Sequence, residues 1–194
     1  MAKQVDFYFD FGSPNAYLAY TQMPGLAERS GAEVIYKPML LGGLFKAVEN
    51  VSPAFHPLKG AYLEIDLPRC ARRWGVPFAL NPHFPVTTLA VLRGAVAMQL
   101  DGGFREYADA VYRAMWVEQK KMDDPAVIGE VLGAIGIDAE AFAVRIREDE
   151  VKKTLIATTE EAASRGVFGA PTFFVDGEMF FGQDRIDYVE SALS

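Results

Sequence analysis

Val5-Asp-Phe-Tyr-Phe-Asp-Phe-Gly-Ser-Pro-Asn-Ala-Tyr-Leu-Ala19 decides the fold. Val5 to Phe11 is short, aromatic and apolar, interrupted only by Asp6 and Asp10, and it reads as a buried strand. Ser13-Pro14 then starts a helix. Serine is a favoured N-cap, and proline suits the first helical position because its missing N–H has no partner there anyway. The helix is expected to run to about Ser30, with Gly31 as its stop, and Glu33 to Pro38 reads as a second strand. Strand, helix, strand in this space is a βαβ unit with parallel strands.

At the other end, Thr172-Phe-Phe-Val175 and Glu178-Met-Phe-Phe181 flank Asp176-Gly177, a strong signal for a tight hairpin. Asp184 is a candidate cap for a last helix carrying Ile186, Val189 and Leu193. Everything between the two ends reads as helix. Leu67, Cys70, Ala71 and Trp74 recur at helical spacing, and Pro68 is expected to start or kink that helix. Thr87 to Leu100 is apolar nearly all round, as a buried helix should be. Phe104, Tyr107, Ala108, Val111, Tyr112, Met115 and Trp116 form a stripe that reads as a packing face. Asp124-Pro125 is another cap-plus-proline start, with Gly136 as a stop. Helices over Ala139–Ile146 and Val151–Arg165 follow, the second ended by Gly166. Residues 1–60 plus 166–194 thus hold the elements of one sheet-and-helix domain, and 61–165 look like a helical insertion into it.

Composition narrows the function. The chain has 194 residues, 51% of them hydrophobic, with 19 Lys and Arg against 26 Asp and Glu. No stretch is strongly basic, so the clustered cations that nucleic acid requires are missing and no nucleic-acid partner is expected. No run is long and apolar enough to span a membrane. The N-terminal stretch has no signal-peptide character, and the single cysteine, Cys70, fits a reducing compartment, so a cytoplasmic location is expected. Two histidines, His56 and His83, with no nearby cysteine or carboxylate cluster, give no metal site.

Two segments carry chemistry: Phe11-Gly12-Ser13-Pro14-Asn15-Ala16, where strand becomes helix, and Gly169-Ala170-Pro171-Thr172, just before the hairpin. The pair resembles the thioredoxin superfamily, in which a Cys-x-x-Cys at the first helix faces a cis-proline loop; the helical insertion resembles the DsbA-like branch. Here Ser13-Pro14-Asn15-Ala16 stands in place of Cys-x-x-Cys. Thiol–disulfide exchange needs a thiolate of the protein, and a serine cannot form the mixed disulfide. A hydroxyl beside free helix-start N–H groups can still hold an incoming thiol as thiolate. Stabilising that anion by about 2–3 kcal/mol lowers a thiol pKa by roughly two. No Ser-His-Asp arrangement is evident around Ser13, which argues against a serine hydrolase.

The match sharpens over Val5–Ala19, Gly166-Val-Phe-Gly-Ala-Pro-Thr-Phe-Phe-Val175 and Phe181-Gly-Gln-Asp-Arg185. These resemble the 2-hydroxychromene-2-carboxylate isomerase family, which shares its fold with the kappa-class glutathione transferases. The resemblance implies an α/β, thioredoxin-like fold with a helical insertion. It also implies glutathione as cofactor, a small aromatic carboxylate as substrate and a homodimer. Ser13 would face the glutathione sulfur, and Ala170 before a cis Pro171 would pair its backbone with the tripeptide. Phe181, Gly182, Gln183 and Asp184 would hold the γ-glutamyl end. Lys46 and Asn50 match polar positions near the ligands, Lys46 suiting a substrate carboxylate. His56 and Phe84 are candidates to line the aromatic-acid pocket. Isomerisation, conjugation by a transferase, and ligand binding without turnover all remain compatible with these residues.

Overall fold

The computed structural model describes residues 3–194. Its first strand, β1 (Gln4–Phe9), turns through Phe11 and Gly12 into α1 (Pro14–Tyr20). Ser13 is extended (φ −95°, ψ 112°) and its side chain accepts the Ala16 N–H, so the capping expectation holds. The expected single helix to Ser30 is two helices: α1 is followed by α2 (Met23–Ser30). Pro24 explains the break. It has no N–H to continue the ladder, and its ring crowds the carbonyl four residues back. The chain therefore restarts with proline in the first turn of α2 and ends at Gly31 in the left-handed region (φ 68°).

Strands β2 (Glu33–Pro38), β3 (Thr172–Val175) and β4 (Glu178–Phe181) complete a four-stranded sheet in the order β2-β1-β3-β4. β1 runs parallel to β2, with Gln4 opposite Glu33 and Phe9 opposite Pro38. It runs antiparallel to β3, with Phe7 opposite Phe173. The hairpin turn sits at Asp176 (φ 49°) and Gly177 (φ 87°). Two positive φ values in succession are what a two-residue turn matching strand twist demands. Because strand side chains alternate, β1 serves two cores. Val5, Phe7 and Phe9 enter the larger one. Tyr8 enters a smaller one with Met39, Leu44, Ala162 and Phe174.

Between β2 and β3 lie α3 (Leu41–Ala47), α4 (Pro57–Trp74), α5 (Leu89–Asp101), α6 (Phe104–Trp116), α7 (Pro125–Gly133), α8 (Ala139–Arg145) and α9 (Asp149–Ser164). α3 was not expected as a helix; its Gly42-Gly43 pair hides the signal. α4 begins at Pro57 rather than Pro68, which lies inside it. The α6 stripe packs as expected, with Tyr107, Val111, Tyr112, Met115 and Trp116 buried. Asp124 caps α7, while Gly136 (φ 77°) closes the turn beyond its end. A 3-10 turn over Gln183–Arg185 precedes α10 (Ile186–Ala192). No side chain caps α10, so the capping role expected of Asp184 is not realised. Asp184 instead lies 3.5 Å from Arg185 Nη2.

Candidate functional site

The site is built where the β1–α1 turn meets the loop before β3. Ser13 is buried. Its Oγ accepts the Ala16 N–H (3.1 Å) and its hydroxyl donates to Ala170 O (3.0 Å) across 157 residues of sequence. The Ala170–Pro171 peptide is cis. Further bonds hold the same loop. Asn50 Nδ2 donates to Phe168 O (2.8 Å), Thr172 Oγ1 to Gly169 O (2.8 Å), and the Gly182 N–H to Pro171 O (3.0 Å). The Phe181 ring lies on Phe168, centroids 4.5 Å apart, and closes over Gly169, where an added Cβ would meet Phe181 at 2.8 Å. Ser13, Asn50, Ala170, Pro171, Phe181 and Gly182 thus form one connected network.

The other candidates lie outside that network. Gln183 Nε2 reaches α4 and donates to Cys70 Sγ at 3.8 Å. Lys46 is exposed in the last turn of α3. His56 is exposed and caps α4, its Nδ1 accepting the Lys59 N–H. Phe84 packs on Trp116, with ring centroids 5.8 Å apart. Trp116 in turn donates its indole N–H to Phe11 O (2.8 Å), so Phe84 braces the strand end that leads to Ser13.

Sequence reasoning missed Asp10. Its carboxylate is buried, and it accepts from three separate elements. The Gly12 N–H (2.8 Å) and the Thr88 hydroxyl (2.6 Å) bond to Oδ1, and the Leu41 N–H (2.8 Å) bonds to Oδ2. Burial pushes its pKa above the ordinary aspartate value, and the three hydrogen bonds oppose that rise. Asp10 therefore ties the Ser13 turn to the start of α3, which leads to Asn50, and to Thr88 before α5. The one available signal was an aspartate in an otherwise apolar strand, since a buried polar group needs partners. Cys70 is half-buried, its thiol raised by burial. That is the reverse of an activated thiolate.

The arrangement presents donors to an anion at Ser13. Pro14 has no N–H, the Ala16 N–H is taken by Ser13 Oγ, and the Tyr17 N–H by Ser13 O. The Asn15 N–H and the rotatable Ser13 hydroxyl are what the turn can offer. α1 is only seven residues long, so its dipole is small and the hydroxyl is the stronger donor available at this turn. Among the described residues, no group of three or more His, Cys, Asp or Glu is placed to hold a metal ion. Among the described residues, no helix is long and apolar enough to cross a membrane.

Comparison with known proteins fixes the family. The family model for the DSBA-like thioredoxin domain matches residues 4–194. A 2-hydroxychromene-2-carboxylate isomerase of Sphingobium xenophagum is 32% identical over 200 residues, covering 100% of this chain and 99% of that protein. The chain belongs to the 2-hydroxychromene-2-carboxylate isomerase family, on the DSBA-like thioredoxin fold. A solved 2-hydroxychromene-2-carboxylate isomerase superposes with a TM-score of 0.84 at 30% identity, covering 98% of this chain and 94% of that one. Glutathione S-transferase kappa 1 of Caenorhabditis elegans is also similar, 28% identical over 98% of this chain and 90% of its own length. These relatives are named as isomerases and as glutathione transferases, which supports an enzyme for this chain.

Proposed function

We propose that the protein is a glutathione-dependent isomerase converting 2-hydroxychromene-2-carboxylate to trans-o-hydroxybenzylidenepyruvate. The observation that carries this reading is the Ser13 hydroxyl. It sits at a helix start against the cis-proline loop, where a redox relative has cysteine, and it donates to Ala170 O. Full-length relatives named as isomerases support the choice of reaction.

Bound glutathione supplies a thiol whose anion can add reversibly to a conjugated double bond, leaving a single bond free to rotate. The chain's own residues bind, orient and shield. Ser13 keeps its Oγ anchored by the Ala16 N–H while its O–H turns from Ala170 O toward sulfur. Ala170 O is then free to accept an N–H from an extended peptide alongside the loop, in the manner of an added strand. Gly182, Gln183 and Asp184 follow directly on β4 and suit the polar γ-glutamyl end, and Phe181 covers the loop from outside. Lys46, on the α3 segment that Asp10 anchors, suits the substrate carboxylate. His56 and Phe84 border the aromatic body. Catalysis rests on orientation and on a prearranged donor for the developing charge. The protein works as a cytoplasmic homodimer on a small aromatic acid.

Incubation with glutathione and 2-hydroxychromene-2-carboxylate tests the reading. Isomerisation with no net loss of glutathione is expected. The kappa relatives favour a second reading, glutathione transfer. Stoichiometric glutathione loss with chlorodinitrobenzene and no chromene turnover would decide for the transferase.

A further inference from the structure

A cavity of about 380 Å³ opens between α3, α5 and α9, with none of the Ser13–Ala170 network in its lining. That volume lies in the ordinary range of small-molecule sites, roughly 300–1,000 Å³. Leu40, Ala47, Leu89, Leu155 and Ile156 make it largely apolar, and Ile156 is 55% exposed at its mouth. Arg93 enters from α5, a helix whose neighbouring residues Val91, Leu92, Gly94 and Ala95 are all buried. Arg93 itself is half-buried; its Nε is buried with no hydrogen-bond partner. Among the described residues no carboxylate forms a salt bridge with it.

The remaining polar groups of the lining do not resolve this. Thr159 accepts the Leu40 N–H and donates to Leu155 O. Lys152 is engaged with Asp149 (3.3 Å). Glu160 shares the lining but does not pair with Arg93. A buried N–H without a partner, here the Arg93 Nε–H, is costly and rare in a native protein. With Lys152 taken by Asp149, Arg93 is the lining cation that no salt bridge among the described residues compensates.

We propose that this cavity binds a small monocarboxylate with an aryl or short alkyl body, its carboxylate on the Arg93 guanidinium. The planar fork of donors suits a carboxylate better than any neutral ligand, and the apolar walls suit a hydrocarbon body. The proposal is independent of the reaction at Ser13.

trans-Cinnamate is the probe, titrated calorimetrically into the full chain. One saturable equivalent is expected in the wild type. Arg93→Met should weaken it on the order of tenfold or more, the scale of a charged hydrogen bond, with a melting temperature no lower than wild type. Ala47→Phe should block the cavity by volume, and Glu160→Gln should tighten binding. Ser13→Ala and Lys46→Ala, at the other site, should leave it unchanged. The proposal fails if cinnamate does not bind, or if binding survives Arg93→Met. Loss of binding in Lys46→Ala would also sink it, by placing the acid at the Ser13 site. So would self-association that competes with cinnamate, since a second copy would then be the occupant.

Discussion

Ser13 concentrates the chemistry into one rotatable O–H. If that proton is what stabilises a bound thiolate, Ser13→Ala should raise the thiol pKa of bound glutathione by about one to two. The thiolate absorbance, followed against pH, reads this directly. Turnover should fall roughly a hundredfold, the scale of one lost donor to a developing anion. An unchanged titration would remove Ser13 from the mechanism. Asp10 works one step behind. Asp10→Ala orphans the Gly12 and Leu41 amides and the Thr88 hydroxyl in a buried place. Each such donor is worth about 1–3 kcal/mol, so chemical denaturation should show a loss on the order of 3 kcal/mol. Asp10→Asn keeps one acceptor oxygen and sheds a desolvated charge, so it should cost less than alanine while still loosening α3. Activity should follow the same order, wild type above asparagine above alanine; an alanine variant as stable as wild type would contradict the anchoring role.

At the scale of elements, β1, β2 and α9 are joined at the sheet face by a polar cluster. Arg165 Nη1 donates to Asp6 Oδ2 (2.6 Å) and Tyr8 Oη (2.9 Å), and Tyr8 donates to Glu161 Oε1 (2.7 Å). Lys37 Nζ stands 3.4 Å from Glu161, and the Arg165 guanidinium lies 3.7 Å over the Phe174 ring. Partial burial pushes the Glu161 carboxyl up, but the Tyr8 hydroxyl, Lys37 and Arg165 together hold it below the ordinary glutamate value. A carboxyl depressed in the folded state stabilises above its unfolded pKa and loses that contribution as pH falls through its folded value. Urea midpoints measured from pH 6 down to 3 should therefore fall less steeply for Glu161→Gln than for wild type. The difference stays below about 1 kcal/mol because the side chain is 40% exposed and screened. Parallel slopes would refute the linkage. The local elements here were legible in sequence, since caps such as Asp124 and turns such as Asp176-Gly177 act over a few residues. The α1–α2 break is the exception, because Pro24 stands within a stretch that otherwise reads as one helix to Gly31. Asp10 could not be assigned, because its partners Leu41 and Thr88 are 31 and 78 residues away.

For the whole molecule, one surface departs from the rest. Leu58, Tyr62 and Ile65 are 78%, 57% and 60% exposed along one face of α4, with Val51 and Phe55 leading into it. At 3.6 residues per turn this face lies roughly opposite Leu67, Ala71 and Trp74, which pack inward. The sequence revealed only the inward stripe, because an outward apolar face has no partner within the chain to give it meaning. A contiguous exposed apolar strip of this kind marks an interaction surface, and a self-complementary face forms a two-fold dimer at no cost in sequence. If homodimers form here, sedimentation of the wild type should give twice the chain mass, and the double variant Leu58→Glu, Ile65→Glu should sediment as a monomer. Both positions are exposed, so the monomer's melting temperature should fall little, by no more than the linkage to dimerisation supplies. The strip begins directly after Asn50, which holds the cis-proline loop through Phe168 O. Dimerisation would therefore order the segment that supports the Ser13 site, and the monomeric variant should lose glutathione affinity before it loses fold. A variant that stays dimeric would move the interface elsewhere, and a monomer with full affinity would separate assembly from the site.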